Sequence, residues 1–266
     1  MVHCGDNTEI MTQIDKESVD LVVTSPPYDD LRAYGGHSWD FYGIAWLLKR
    51  AIKPGGVIVW VVADSKKNGS ESGSSMRQAQ HFMELNLNLH QTMIYQKLSG
   101  VIGALNGYYP RMEYMYVFSK GKPKTFNPLI DKPTVKAGQR YRSGGGRNKD
   151  GTTRHTVLLT APEQSKRTNI WPYHHGGANH PAVGHPASFP LQLAKDHILS
   201  WSNPGDLVLD PFCGSGTTAV AAAQLARRWI GIEINPEYVE MANERIRMEC
   251  AQVNMFHPSC GREVCE

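Results

Sequence analysis

No run of apolar residues in this 266-residue chain approaches the roughly 18 that a membrane-crossing helix needs. The first twenty residues carry Asp6, Glu9, Asp15, Lys16, Glu17 and Asp20, so they lack the apolar stretch of a secretory leader. A soluble, cytoplasmic protein with no membrane partner is expected. Cysteine is scarce: Cys4, Cys213, Cys250, Cys260 and Cys265 are odd in number and scattered, which fits reduced thiols better than a disulfide framework. Zinc spacing is also missing. Neither His174, His175, His180 and His185 nor His257 with Cys260 and Cys265 contains paired Cys-x-x-Cys elements, so both sets read as loop residues and no metal is expected. There is no Gly-Lys-Ser/Thr to make a P-loop, and there is no internal repeat.

What the chain does have is an uneven distribution of charge. The formal net charge is only +3, yet twelve Lys and Arg lie between Ser119 and Arg167 against Asp131, Asp150 and Glu163. That segment is +9 and the remainder is −6. Such asymmetry suits a surface facing a polyanion, because basic side chains gain affinity by neutralising phosphates and releasing counterions. A solvated loop is the plainer alternative. Its centre, "SGGGRNKDG" (143–151), is too polar and glycine-rich to pack, and part of it is expected to be mobile without nucleic acid.

Strand-like runs end at Val23, Val62, near Tyr95 and at Phe118, and the 38–56 segment between the first two has helical apolar spacing up to Pro54-Gly55-Gly56. A second helical pattern covers Ser75 to Leu85. After the basic stretch, 189–206 reads as a helix closed by Asn203-Pro204-Gly205, followed by the strand "LVLD", a glycine loop, the helix "AVAAAQLARR" and the strand "WIGIEI". This alternation predicts an α/β fold with a doubly wound, mainly parallel Rossmann-like sheet, interrupted by an insertion after about residue 120.

Two motifs fall at strand ends. "LVVTSPPYDD" (21–30) stops an apolar, β-branched run with two prolines, which leaves a stiff polar loop. It is either a turn that merely ends the strand or a holder for a substrate group. "DPFCGSGTT" (210–218) stands between a strand and a helix, where glycines permit a tight turn and close approach to a ligand. Glu233, 17 residues beyond Gly216, ends the next strand where a carboxylate suits a ribose diol. Nucleotide oxidoreductases and S-adenosylmethionine (SAM) enzymes share this pairing, so by itself it points only to a ribose-bearing cofactor.

Taken together, "TSPPY" (24–28), "DPFCGSGTT" (210–218) and "GIEINPEYVEMANERI" (231–246) resemble the DNA methyltransferases that methylate exocyclic amines. "HPASFPLQL" (185–193) and "HCGDNTEIM" (3–11) match further segments of that family, so the resemblance covers nearly all of 3–246. The order of motifs resembles its β-class, a circularly permuted arrangement. It implies a catalytic half over 1–118, a target-recognition insertion over 119–170, a SAM-binding half over 171–254 and a tail over 255–266 without apolar period.

The resemblance also implies roles. Ser25 and Pro26 would orient the target amine, Pro27 would stiffen the loop, and Tyr28 would stack on a base flipped out of the helix. Asp210, Phe212, Gly214, Ser215, Gly216, Thr217 and Thr218 would hold the methionine part of SAM, and Glu233 its ribose. Asp6 would lie near the adenine, with His185, Ser188 and Phe189 closing the pocket. Those last four residues also read as caps of helices and turns. Lys132, Lys136, Arg140, Arg142, Arg147, Lys149 and Arg154 would bind double-stranded DNA. Family members with Ser at the first motif position typically act on cytosine N4, and those with Asp or Asn on adenine N6, so N4-cytosine is expected and N6-adenine is the alternative. The resemblance places the protein in a prokaryotic or phage-infected cell and admits a homodimer and a cognate restriction endonuclease as partners. Cys213, inside the glycine loop and not after a proline in a loop of its own, reads as a packing residue and not as a C5-cytosine nucleophile. A non-catalytic nucleic-acid-binding protein would keep its function after Ser25→Ala, and a nicotinamide oxidoreductase would be stabilised by NAD but not by SAM.

Overall fold

The structure, a computed structural model, describes residues 2–27, 39–99, 108–174 and 189–256, with side chains up to Glu249. Tyr28, His185 and Ser188 lie outside the described residues, as do His175, His180, His257, Cys260 and Cys265. Two compact units are present: residues 1–127 with 169–266, and residues 128–168.

The first unit begins with β1 (His3–Cys4), α1 (Asn7–Thr12), β2 (Val19–Thr24), α2 (Phe41–Ala51), β3 (Ile52–Val62) and a small hairpin of β4 (Lys66–Lys67) and β5 (Ser70–Glu71). It continues with α3 (Ser74–Glu84), β6 (Asn88–Lys97) and β7 (Met112–Ser119). The second unit holds β8 (Ile130–Pro133), β9 (Arg140–Ser143), β10 (Val157–Thr160) and β11 (Gln164–Lys166). The chain returns to the first unit with β12 (Ile170–Tyr173), α4 (Leu191–Trp201), β13 (Leu207–Asp210), α5 (Thr217–Gln224), β14 (Arg228–Glu233) and α6 (Pro236–Phe256).

Eight strands form one sheet in the order β1-β14-β13-β2-β3-β7-β6-β12, parallel except for β7, which runs against both of its neighbours. The α/β, Rossmann-like sheet expected from the alternation is therefore present. β2 and β13 come from opposite ends of the sequence and lie side by side at its centre. Central strands are covered on both faces, so their apolar residues are continuous and do not alternate: Leu21, Val22 and Val23 are buried, and so is every residue from Val57 to Val62. α2 shows the opposite pattern. Ile44, Ala45, Leu47, Leu48 and Ala51 face the core while Tyr42 and Trp46 are exposed.

One local expectation is corrected, and two local features carried no signal in the sequence. The helix predicted to run to Pro54-Gly55-Gly56 ends at Ala51, and β3 starts through those residues with an irregular register against β2. Gly55, at φ +79°, donates to the Lys120 carbonyl and accepts from the Lys124 amide, so the triplet opens a strand. β12 had no sequence signal because it is four residues long and holds Pro172, which an edge strand tolerates. Finally, "SGGGRNKDG" is part of a folded hairpin: β9 and β10 pair antiparallel, Arg147 bridges Thr153, and the Gly151 amide closes a turn on the Asn148 carbonyl at 3.0 Å. Backbone pairing and a positive φ at Gly151 (+85°) build this hairpin without an apolar core. No described helix is long and apolar enough to cross a membrane.

Candidate active site

The carboxyl ends of β1, β14, β13, β2 and β3 deliver polar residues to one edge of the parallel sheet, where α/β folds bind ligands. β2 ends in Thr24, followed by Ser25, Pro26 and Pro27. β13 ends in Asp210. The Thr24 hydroxyl donates to Asp210 Oδ1 at 2.6 Å, and the same oxygen accepts the Phe212 amide at 3.0 Å. Burial pushes the Asp210 carboxyl up to about 6, against the pull of its bonds from Thr24, Thr218 and Phe212 and with a further push from Glu233.

From Asp210 the chain turns through Gly214 (φ +51°) and Gly216 (φ +80°) into α5. Gly216 lies close against α6, where a Cβ would come within 3.1 Å of the Ala242 Cβ. Glu233 faces this loop: one carboxylate oxygen accepts the Gly214 amide and the other the Asn235 amide, both at 2.9 Å. Thr217 and Thr218 are buried, the first accepting from Arg245 at 3.1 Å and the second donating to the Val23 carbonyl on β2 at 3.1 Å. Ser215 is buried as well, and Phe212 packs edge-on to Trp39.

Asp6 follows β1, beside Glu233, since the Gly5 amide donates to the Glu233 carbonyl at 3.0 Å. Its carboxylate caps α1, accepting the Thr8 and Glu9 amides, and the Thr8 hydroxyl is the main influence holding its pKa low. Phe189 is buried just ahead of α4. Lys132, Lys136, Arg140, Arg142, Arg147, Lys149 and Arg154 are all exposed on the second unit. Cys213 is buried among Val2, Ala219, Val220, Val239, Ala242 and Ile246. Burial, Asp210 and Glu233 push its thiol well above the ordinary range, and its Sγ is packed so close that a Cβ on Gly231 would come within 2.6 Å. Among the described residues, no group of three His, Cys, Asp or Glu side chains is arranged to hold a metal.

Four residues of this edge were given no role in the sequence reading. Thr24 is one, the first residue of the "TSPPY" segment and the last of an apolar strand. Asn7 is another, its side-chain amide donating to the Pro211 carbonyl at 3.1 Å. Asp64, just past β3, accepts the Ser75 amide at 2.9 Å and the hydroxyls of Ser75, Ser72 and Ser74. Although burial opposes it, this set keeps the Asp64 carboxylate ionised below its usual range. Arg245 is the fourth. Its guanidinium donates to the Ser215 carbonyl and the Thr217 hydroxyl, both at 3.1 Å, from a position only 6% exposed. The signal was an arginine set in the apolar face of α6 beside Val239, Ala242 and Ile246.

With this geometry in place, comparison with known proteins is decisive. Residues 19–244 match the family model described as DNA methylase, the N6/N4 methyltransferases. This chain belongs to the N6/N4 DNA methylase family. The methylase is 51% identical over 236 residues to the orphan methyltransferase M.BamHII of Bacillus amyloliquefaciens, covering 86% of this chain and 89% of that one. It is 30% identical over 260 residues to the DNA adenine methyltransferase YhdJ of Escherichia coli K12, covering 91% and 81%. Among solved structures it resembles TTHA0409, a putative DNA modification methylase from Thermus thermophilus complexed with S-adenosyl-L-methionine. That match has a TM-score of 0.62 and 27% identity, and it covers 94% of this chain and 95% of the other. The methylase is SAM-dependent, and its site suits that cofactor: two carboxylates and a glycine loop at a helix start meet the needs of a ligand with a diol, an ammonium and a carboxylate.

Proposed function

We propose that this DNA methylase transfers a methyl group from SAM to the exocyclic N4 of cytosine, in a nucleotide flipped out of duplex DNA at sites selected by the basic second unit. The observation that carries the reading is the side-by-side ending of β2 in Thr24-Ser25-Pro26-Pro27 and of β13 in Asp210 with its glycine loop, tied by the Thr24–Asp210 hydrogen bond. That arrangement supports a substrate amine on one strand end and a cofactor on the next.

An exocyclic amine is a weak nucleophile because its lone pair is conjugated into the ring. In this reading the Ser25 hydroxyl oxygen and the Pro26 carbonyl accept its N–H bonds, favouring a more tetrahedral nitrogen with a directed lone pair, and Pro27 keeps the loop rigid. Tyr28 stacks on the base, which repays part of the few kcal/mol that flipping costs. Bound SAM supplies a methyl group activated by its sulfonium. Glu233 accepts the ribose hydroxyls, Asp210 with Phe212, Gly214, Ser215, Gly216, Thr217 and Thr218 holds the methionine end, and Asp6 lies toward the adenine. His185, Ser188 and Phe189 close the pocket. The rate gain comes from alignment of the reactants and needs no enzyme nucleophile.

N6-adenine is the second reading, favoured by the 30% identity to a relative named as a DNA adenine methyltransferase. Ser25 in Ser-Pro-Pro-Tyr favours cytosine. The transfer chemistry is tested with Ser25→Ala, following radiolabelled methyl from SAM into duplex DNA. The expected result is a single-turnover rate at least about 100-fold lower, with SAM and DNA affinities within about threefold of the parent protein. An unchanged rate would contradict the role of Ser25.

A further inference from the structure

The tip of the β9–β10 hairpin carries an ordered chain of side chains on a fully exposed surface. Thr152 donates its amide (3.0 Å) and hydroxyl (2.6 Å) to Asp150 Oδ1. Asn148 donates its Nδ2 to the Thr152 hydroxyl at 2.8 Å, and Asn148 Oδ1 accepts from Arg154 Nε at 2.9 Å. Backbone bonds fix the same positions: Asn148 N to the Thr152 carbonyl at 2.8 Å, and Arg154 N to the Gly146 carbonyl at 2.9 Å. Since Arg147 bridges Thr153, strand alternation puts Asn148, Thr152 and Arg154 together on the opposite face, with Arg154 across from a glycine that has no side chain to block it.

Exposed networks of this kind add little to stability, because solvent screens them and ordering the side chains costs entropy. This one has a different effect. It engages the Nε side of the Arg154 guanidinium and biases the Nη1–Nη2 end toward one direction as a two-donor fork. A fork of that shape matches guanine O6 and N7 in the major groove, a groove wide enough to admit a two-stranded β-ribbon. Lys149, at the turn itself, is a flexible point charge suited to a phosphate.

We propose that Arg154 is a specificity-determining residue that reads a guanine of the recognition sequence, with Asn148 as its positioning residue and Lys149 as a phosphate contact. This rests on the reading of the protein as a methylase of duplex DNA. The test is to methylate a mixed-sequence duplex library with parent and variant proteins, map the methylated positions, and measure DNA affinity against salt. Arg154→Lys keeps the charge but loses the fork; it should slow methylation of the parent site about tenfold or more and relax selectivity at one G·C position. Asn148→Ala should relax the same position, and Asn148→Asp, which keeps an acceptor for Arg154 but loses the donor to Thr152, should relax it less. Lys149→Ala should leave the site profile intact and reduce the slope of log affinity against log salt by about one. A parent protein that methylates DNA while Arg154→Lys keeps the parent profile would overturn the assignment of Arg154. A parent protein that methylates no DNA would overturn the assignment together with the reading beneath it.

Discussion

Thr24 and Asp210 are hydrogen-bonded across 2.6 Å in a buried setting, joining the residue before Ser25 to the residue that opens the glycine loop. Two motifs 186 positions apart in sequence thus share one proton donor and one acceptor. The bond is a mechanical link between the substrate and cofactor sides of the proposed site. Thr24→Val, equal in size but without the hydroxyl, should cost about 1–3 kcal/mol of stability by leaving a buried carboxylate oxygen with one donor fewer. It should also raise the Asp210 pKa, because Thr24 is among the bonds holding it down. Denaturant unfolding and the acid limb of the pH–rate profile check both effects; an acid limb unmoved from the parent position would argue against the link.

Asp210 itself carries a pH dependence of defined sign. Its folded pKa, about 6, lies above the ordinary 3.8, so the folded state binds a proton more tightly than the unfolded chain. Its ionisation therefore lowers stability as pH rises through roughly 4 to 6, and the cost is fully present above that window. Asp210→Asn should stabilise the cofactor-free protein at about pH 8 by on the order of 2 kcal/mol, with the difference fading toward about pH 4. The same variant should lose SAM binding in calorimetry, since the carboxylate is gone. Greater stability with undiminished SAM affinity would remove Asp210 from the site.

Arg245 supports the loop from α6. Burial lowers its pKa, and its Nε and Nη2 find no partner among the described groups, so it is retained at a desolvation cost. Arg245→Met keeps the apolar volume and removes the bonds to Ser215 and Thr217. SAM affinity should fall about tenfold, with kcat at saturating SAM changed much less. A fall in kcat alone would place the role of Arg245 elsewhere.

Cys213→Ala should retain methyl transfer within about threefold and lose about 1–2 kcal/mol of stability, because the thiol is a packed apolar group that burial keeps protonated. Abolished transfer in a folded Cys213→Ala protein would revive a covalent mechanism.

Much of this architecture is readable in the sequence because it rests on local rules. Val19 to Val23 and Val57 to Val62 announce buried parallel strands by runs rich in β-branched residues, and Gly214 and Gly216 announce a loop that needs positive φ. Motifs in order expose the family. What stays hidden depends on contacts between distant segments. Thr24 and Arg245 look like ordinary strand and helix residues until β2 meets β13 and α6 covers the loop. The hairpin at 140–160 is equally hidden, because its order comes from backbone pairing and a side-chain relay that composition does not register.

The most direct measurement of the central claim is the identity of the methylated nucleoside. The purified protein is incubated with SAM and unmethylated mixed-sequence duplex DNA, the DNA is digested to nucleosides, and the product is identified by mass spectrometry. N4-methylcytosine is the predicted product. N6-methyladenine in its place would contradict the assignment of cytosine by Ser25, and the absence of both would contradict the proposed reaction.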